Sequence, residues 1–206
     1  MKKKLLATFL ALCMVIGLLP ISAFASGDNT DEAKIGEQSY GTLEAAIANV
    51  TPGGTIQLTA NVQLTNDTPL KIMNKGTADS PIVLDLNGHT ISGSNSKSGT
   101  NEDTTTPGGI LWIYGSYVTL TDTSNGDEKG GIINTYEGSS AYSYSYGLVI
   151  KSTTNNVGAV TIKGGVHIDV TKSIGNYAKA IYFQNNTNES GTLTLTIEDA
   201  NCLLYT

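Results

Sequence analysis

The groups in this chain that could ionise, attack or coordinate are few, and their spacing limits what they can do. Asp85, Lys163 and Glu198 recur near the ends of related apolar-alternating segments. Proton abstraction beside a cation would need such a column, with clustered acids to hold the ion and a lysine of lowered pKa to take the proton. Thr121 stands where the intervening acid would fall, so the column is broken. Hydrolysis of a glycosidic bond needs carboxylates at short separation. The mature chain has no Asp-Asp pair, and Glu198 and Asp199 alternate in direction on a strand. These acids read as ordinary solvent-facing strand residues, Asp85 included. Asp122-Thr123-Ser124-Asn125-Gly126-Asp127-Glu128 has the composition of a calcium loop, but Gly126 comes one place early and no Glu follows at the required distance. A Gly/Asn/Asp turn is the better reading. His89 and His167 are isolated, and no nucleophile motif or phosphate-cradling Gly loop is present. Calcium is the one cofactor that the acids raise, and their spacing does not support it, so the expectation is no cofactor and no catalytic residue.

The positive signal is aromatic. Trp112, Tyr114 and Tyr182 have outward parity on their segments, and Tyr142, Tyr144 and Tyr146 alternate with Ser143 and Ser145. Tyr136 and Tyr177 belong to the same side of the repeat. Flat rings beside hydroxyls and amides suit sugars, whose CH faces stack on the rings while their hydroxyls exchange hydrogen bonds. The competing reading is that these rings pack beneath neighbouring loops.

The elements that would position them repeat. Leu70-Lys71-Ile72-Met73, Leu111-Trp112-Ile113-Tyr114, Leu148-Val149-Ile150-Lys151 and Ile181-Tyr182-Phe183-Gln184 begin at residues 70, 111, 148 and 181, the spacing of a structural repeat. A second alternating run follows each: Leu84/Leu86, Val118/Leu120, Val160/Ile162 and Leu195/Ile197, with Asp85, Thr119, Thr161 and Thr196 expected to face solvent. A third run contains Ile91, Ile132/Ile133, Val166/Ile168 and Leu203/Leu204. Three strands per repeat, stacked about 4.8 Å apart, predict an all-β fold: a right-handed parallel β-helix of about four turns. Leu70/Ile72 and their equivalents, Phe183 among them, should form ladders inside. The polar connections 92–109, 135–146 and 171–179 elaborate one corner. Before the repeats, Leu43, Ala46, Ile47 and Val50 have helical spacing, with Thr42 as N-cap and Pro52-Gly53-Gly54 as the stop. This predicts a capping helix, and residues 56–64 predict a half-turn after it.

Residues 1–25 carry the marks of a secretory signal: Lys2-Lys3-Lys4, the apolar run from Leu5 to Leu19, and Ala23-Phe24-Ala25 before Ser26. Residues 26–38 read as a flexible lead-in and 39–206 as the β-helix domain. The 12 basic residues are all lysine, three of them in the leader, against 18 acidic residues. An acidic chain without arginine excludes a nucleic-acid partner, and no other run is long enough to anchor the mature chain in a membrane. Cys13 leaves with the leader and Cys202 remains alone, so no intrachain disulfide can form. The chain ends within a repeat, which predicts that its apolar end is covered by an end-to-end or C-terminal domain contact.

Gly41-Thr42-Leu43-Glu44-Ala45-Ala46-Ile47, leading to Gly54-Thr55-Ile56-Gln57-Leu58 and then Leu84-Asp85-Leu86-Asn87-Gly88-His89-Thr90-Ile91, resembles the N-terminal region of pectate-lyase-like right-handed β-helix proteins. The similarity is closest to those secreted to the surface of Gram-positive bacteria and spans roughly residues 39–206. The resemblance implies the fold and an extracellular, cell-surface location. It leaves activity open, because the superfamily includes polysaccharide lyases, hydrolases and non-catalytic adhesins. The reading taken forward is a secreted, adhesin-like module that binds a polysaccharide or cell-surface glycan without catalysis. The alternatives are the N-terminal part of a polysaccharide lyase or glycoside hydrolase, and a structural stalk.

Overall fold

Side chains that alternate with period two can bury one face of a strand and leave the other free, and the repeated segments do this. The computed structural model describes residues 31–65, 68–98, 108–137, 143–153, 156–172, 177–184, 192–198 and 203–205. The leader, its cleavage site and Tyr142 lie outside them. Strands β1 (Ala33–Ile35) and β2 (Gln38–Tyr40) precede helix α1 (Leu43–Asn49), followed by β3 (Thr55–Leu58) and β4 (Val62–Gln63). The chain then proceeds in threes: β5 (Leu70–Met73), β6 (Ile82–Asp85) and β7 (Thr90–Gly93). After the short β8 (Lys97–Ser98) come β9 (Leu111–Tyr114), β10 (Tyr117–Thr121) and β11 (Gly131–Asn134). The last two sets are β12 (Ser143–Lys151), β13 (Ala159–Ile162) and β14 (His167–Asp169), then β15 (Tyr177–Gln184), β16 (Thr194–Ile197) and β17 (Leu203–Tyr205).

Each member of a set joins a different sheet. First strands form β5-β9-β12-β15, second strands form β3-β6-β10-β13-β16 with β1 and β2 added at one edge, and third strands form β4-β7-β11-β14-β17. Pairing within the three series is parallel, and the antiparallel pairs are β1–β2, β1–β3 and β8–β12. The register aligns like with like. Leu70, Leu111, Leu148 and Ile181 form one column and Ile72, Ile113, Ile150 and Phe183 the next. Ile56, Leu84, Leu120, Ile162 and Ile197 form a column in the second sheet, and Val62, Ile91, Ile132 and Ile168 one in the third. Their inner members belong to one continuous apolar core.

Helix α1 adds Leu43, Ala46 and Ile47 to that core. Thr42 Oγ1 accepts from Ala45 N at 3.2 Å, Glu32 Oε2 accepts from Leu43 N at 2.8 Å, and Lys75 Nζ donates to Ala48 O at 2.9 Å, so both helix ends find partners. No helix among the described residues is long and apolar enough to cross a membrane.

At the corners where the chain leaves one sheet for the next, buried polar side chains satisfy part of the backbone. Between the first and second sheets, Ser116 Oγ donates to Tyr114 O (2.8 Å) and accepts from Lys75 N (3.1 Å) in the preceding repeat. Between the third and first, Asn134 Oδ1 accepts from Asn95 N and Tyr136 N, and its Nδ2 donates to Asn95 O and Tyr146 O. All four hydrogen-bonding positions of that amide are filled.

The structure corrects several expectations. Asp85 is only 3% exposed, because its outer-facing carboxylate is covered by the next corner. The lead-in assigned to 26–38 overlaps the hairpin β1–β2, holding β1, the turn at Gly36 with φ +58° and the start of β2; three-residue strands are too short to show alternation. Parts of the connections 92–109, 135–146 and 171–179 are strand, as β8 and the long β12 and β15. Phe183 and Ile197, expected inside, are 42% and 45% exposed. They keep inward parity, but β15 and β16 are the edge strands of their sheets, so no further layer among the described residues covers them.

The inner columns carry the stability. Ile150→Ala, at a fully buried site stacked between Ile113 and Phe183, is expected to cost roughly 2–5 kcal/mol in denaturant unfolding, whereas Lys163→Ala on the exposed surface should shift it by no more than about 0.5 kcal/mol.

Candidate functional site

The residues with outward parity on the first sheet make the densest aromatic cluster among the described residues. The register builds two columns: Lys71, Trp112, Val149 and Tyr182, and Met73, Tyr114, Lys151 and Gln184. Further along β12, Tyr146 lies opposite Lys179 and Tyr144 opposite the Tyr177 backbone. Strict alternation would put Tyr146 on the same side as Leu148. Gly147 breaks that parity, since a Cβ there would lie 2.3 Å from Ile168 Cγ2 and 2.9 Å from Ala180 O. Residues 147 and 148 both face the core, and Tyr144 and Tyr146 are left on the outer side with Trp112, Val149 and Tyr182.

The rings pair. Trp112 and Tyr114 stack at 5.2 Å between centroids and 12° between planes, and Tyr146 and Tyr182 stack at 4.9 Å and 12°. Lysines sit over them: Lys71 Nζ is 4.9 Å from the Trp112 centroid, Lys151 Nζ 5.6 Å from Tyr114, and Lys179 Nζ 5.1 Å from Tyr182 and 5.6 Å from Tyr146. Each lies within the range of a cation–π attraction. The described outward positions of this sheet carry these three lysines and no acid, although the chain as a whole is acidic.

Most of this cluster is not open surface. Trp112 is 5% exposed, and Tyr144, Tyr146 and Tyr182 are also buried, while Tyr114 is half-buried and Lys71 and Met73 are exposed. Trp112 Nε1 and Gln184 Oε1 are buried and have no hydrogen-bond partner among the described residues. An indole N–H left without an acceptor in a dry place costs free energy that an incoming oxygen would recover. Tyr136 stands apart, at the third-to-first corner, with its backbone N donating to Asn134 Oδ1 at 3.1 Å. For Tyr177 only the backbone pairing is described. The structure thus joins Trp112, Tyr114, Tyr144, Tyr146 and Tyr182. The three lysines were missed in the sequence: Lys71 and Lys151 share the parity of Trp112 and Tyr114 on neighbouring repeats, which was the available signal, whereas Lys179 has the parity of Ile181 and gave none.

The acids take another role. Asp85 Oδ1 accepts from Asn87 N and Thr123 N, both at 3.0 Å, and Oδ2 from Gln57 Nε2 (3.0 Å) and Thr123 Oγ1 (2.6 Å). Asp122, also 3% exposed, accepts from Ser124 N (2.8 Å) and Ser124 Oγ (2.5 Å) on Oδ1, and from Gly88 N (2.8 Å) and Gly130 N (2.6 Å) on Oδ2. Lys129 Nζ lies 3.8 Å from Oδ1 and donates to Ser124 O. With about four acceptor sites per carboxylate, both acids are filled by the second-to-third corners of successive repeats. Lys163 and Glu198 are exposed. No group of three metal-binding side chains occurs among the described residues. Comparisons with protein-family models, curated proteins and solved structures find no match to this chain.

Burial alone would raise the pKa of Asp122, but the hydrogen bonds from Ser124, Gly88 and Gly130 outweigh it and hold the carboxyl below its ordinary range. A carboxyl depressed on folding stabilises the fold above its unfolded pKa, about 3.9, and that contribution is lost as pH falls through the folded value. Asp122→Asn is expected to lose about 1–3 kcal/mol at neutral pH. Its melting temperature should then fall less steeply than that of the native chain on acidification; parallel curves for the two proteins would refute this role.

Proposed function

We propose that the chain is a secreted, cell-surface module that binds glycans without catalysis, through the outer face of its first sheet. In this reading the three sheets are the walls of a right-handed parallel β-helix with three strands per coil, α1 covers its first coil, and the module is of the pectate-lyase-like kind. The parallel like-with-like register and the rotation of the chain through three sheets support the coil. The observation that carries the function is the Trp112–Tyr114 pair, capped by the exposed Lys71, with a buried indole N–H that has no partner among the described residues. A sugar offers oxygens for the indole N–H and the ammonium. The filled lone pairs of Asp85 and Asp122 favour binding over acid–base chemistry.

A structural stalk is the second reading, favoured by the burial of Trp112, Tyr144, Tyr146 and Tyr182. Glycan-array binding separates the two. On the first reading the purified chain retains a defined set of glycans, and Lys71→Ala weakens retention about tenfold, near 1.4 kcal/mol, without changing the melting temperature. A chain that retains nothing, or one indifferent to Lys71→Ala, sinks the assignment of this face. Export is testable separately: N-terminal sequencing of the protein recovered from the medium is expected to begin near Ser26.

A further inference from the structure

The chain contains two described Asn-Gly pairs, Asn87-Gly88 and Asn125-Gly126. Glycine after asparagine leaves the backbone nitrogen unhindered, so it can reach the side-chain carbonyl carbon. The two pairs are held very differently. Asn125 and Gly126 are both exposed in the loop after β10. A Cβ on Gly126 would meet nothing closer than Glu128 O at 3.6 Å. Among the described residues no hydrogen bond holds the Asn125 side chain or the Gly126 amide. At Asn87 the side-chain Nδ2 donates to Leu58 O at 3.1 Å, and the Gly88 amide donates to Asp122 Oδ2 at 2.8 Å.

We propose that Asn125 is a site of spontaneous deamidation and that the Asp122 corner protects Asn87 from the same reaction. In the first step the Gly126 nitrogen loses its proton to solvent base and bonds to Asn125 Cγ. The Cγ–Nδ2 bond then breaks and ammonia leaves, closing a succinimide. Water adds to either ring carbonyl and opens the ring to aspartate or isoaspartate. No oxidant or enzyme is required. At Gly88 the same first step would strip a proton from an amide already given to a carboxylate, placing two anions side by side, and would draw Asn87 off Leu58 O.

The modification bears on the fold because of where the loop ends. Ser124 N and Gly130 N grip the two oxygens of one carboxylate, Asp122, and Asn125 lies between them. An isoaspartate there lengthens the backbone by a methylene between two fixed points, and either product adds a negative charge close to Asp122. The site is a built-in ageing mark that loosens one corner of the fold.

The test is to age the purified chain in mildly alkaline buffer, digest it at lysine, and sequence by mass spectrometry the peptides ending at Lys97 and Lys129. Asn125 is expected to convert about tenfold faster than Asn87 or more, the rate equivalent of one charge-assisted hydrogen bond. In denaturant the two rates should converge. Gly126→Ala, which has room for its methyl group, should slow conversion at Asn125 while leaving the melting temperature unchanged. Equal rates at the two asparagines in the native chain, or conversion at Asn125 that is no slower in the Gly126→Ala variant, would overturn the proposal. Should Asp122→Asn fold, Asn87 conversion must accelerate; an unchanged rate would refute protection by the corner. The comparison of native with denatured rates decides the matter even if that variant does not fold.

Discussion

A chain that changes sheet after every strand must satisfy its backbone at each change of direction. Within the inner strands the neighbouring layers supply the partners, and at the corners only part of that ladder continues, as from Gly115 N to Lys151 O and Tyr117 N to Lys75 O. This protein fills each kind of corner with a buried polar side chain: Ser116 between the first and second sheets, Asp85 and Asp122 between the second and third, and Asn134 with Asn95 between the third and first. Each one reaches into a neighbouring repeat as well as its own. These groups therefore fix the spacing and rotation of successive layers, which stacked aliphatic columns alone would leave free to slide.

The aliphatic columns and the aromatic cluster lie on opposite sides of the same sheet. Inside, Ile72, Ile113 and Ile150 fill the core; outside, Lys71, Trp112 and Tyr114 stand on the same strands one residue away. The extension of β12 and β15 toward Tyr144 and Tyr146 widens this sheet beyond the other two, and the parity break at Gly147 aims the added rings outward. One sheet thus carries most of the described aromatic side chains. It is also the place where positive side chains gather on a chain that is otherwise acidic.

How much of this the sequence disclosed depended on the range of the physics. Alternation is local, so the columns from Leu70 to Ile150 and the amphipathic face of α1 could be read directly. The outward parity of Trp112, Tyr114 and Tyr182 was equally legible. Asp85 was misread because alternation reports direction and not what lies there: its carboxylate points away from the core but into Thr123 of the next repeat. For the same reason alternation could not decide between an open Trp112 and the competing reading of a ring packed out of solvent, which is how it stands. The hairpin β1–β2 offered too few residues for a period, and the break at Gly147 depends on Ile168, from another sheet. Phe183 and Ile197 show the converse, with correct parity and no covering layer among the described residues.

The closure of the second sheet by an antiparallel hairpin, while every later layer is added in parallel, has an evolutionary corollary. A whole repeat inserted downstream meets on each side the partners that its neighbours already had, so duplication leaves existing contacts intact. A single residue inserted within a strand would instead turn a whole row inside out. Relatives of this protein should accordingly differ in length by complete storeys above a constant ground floor, the portion from β1 to β3.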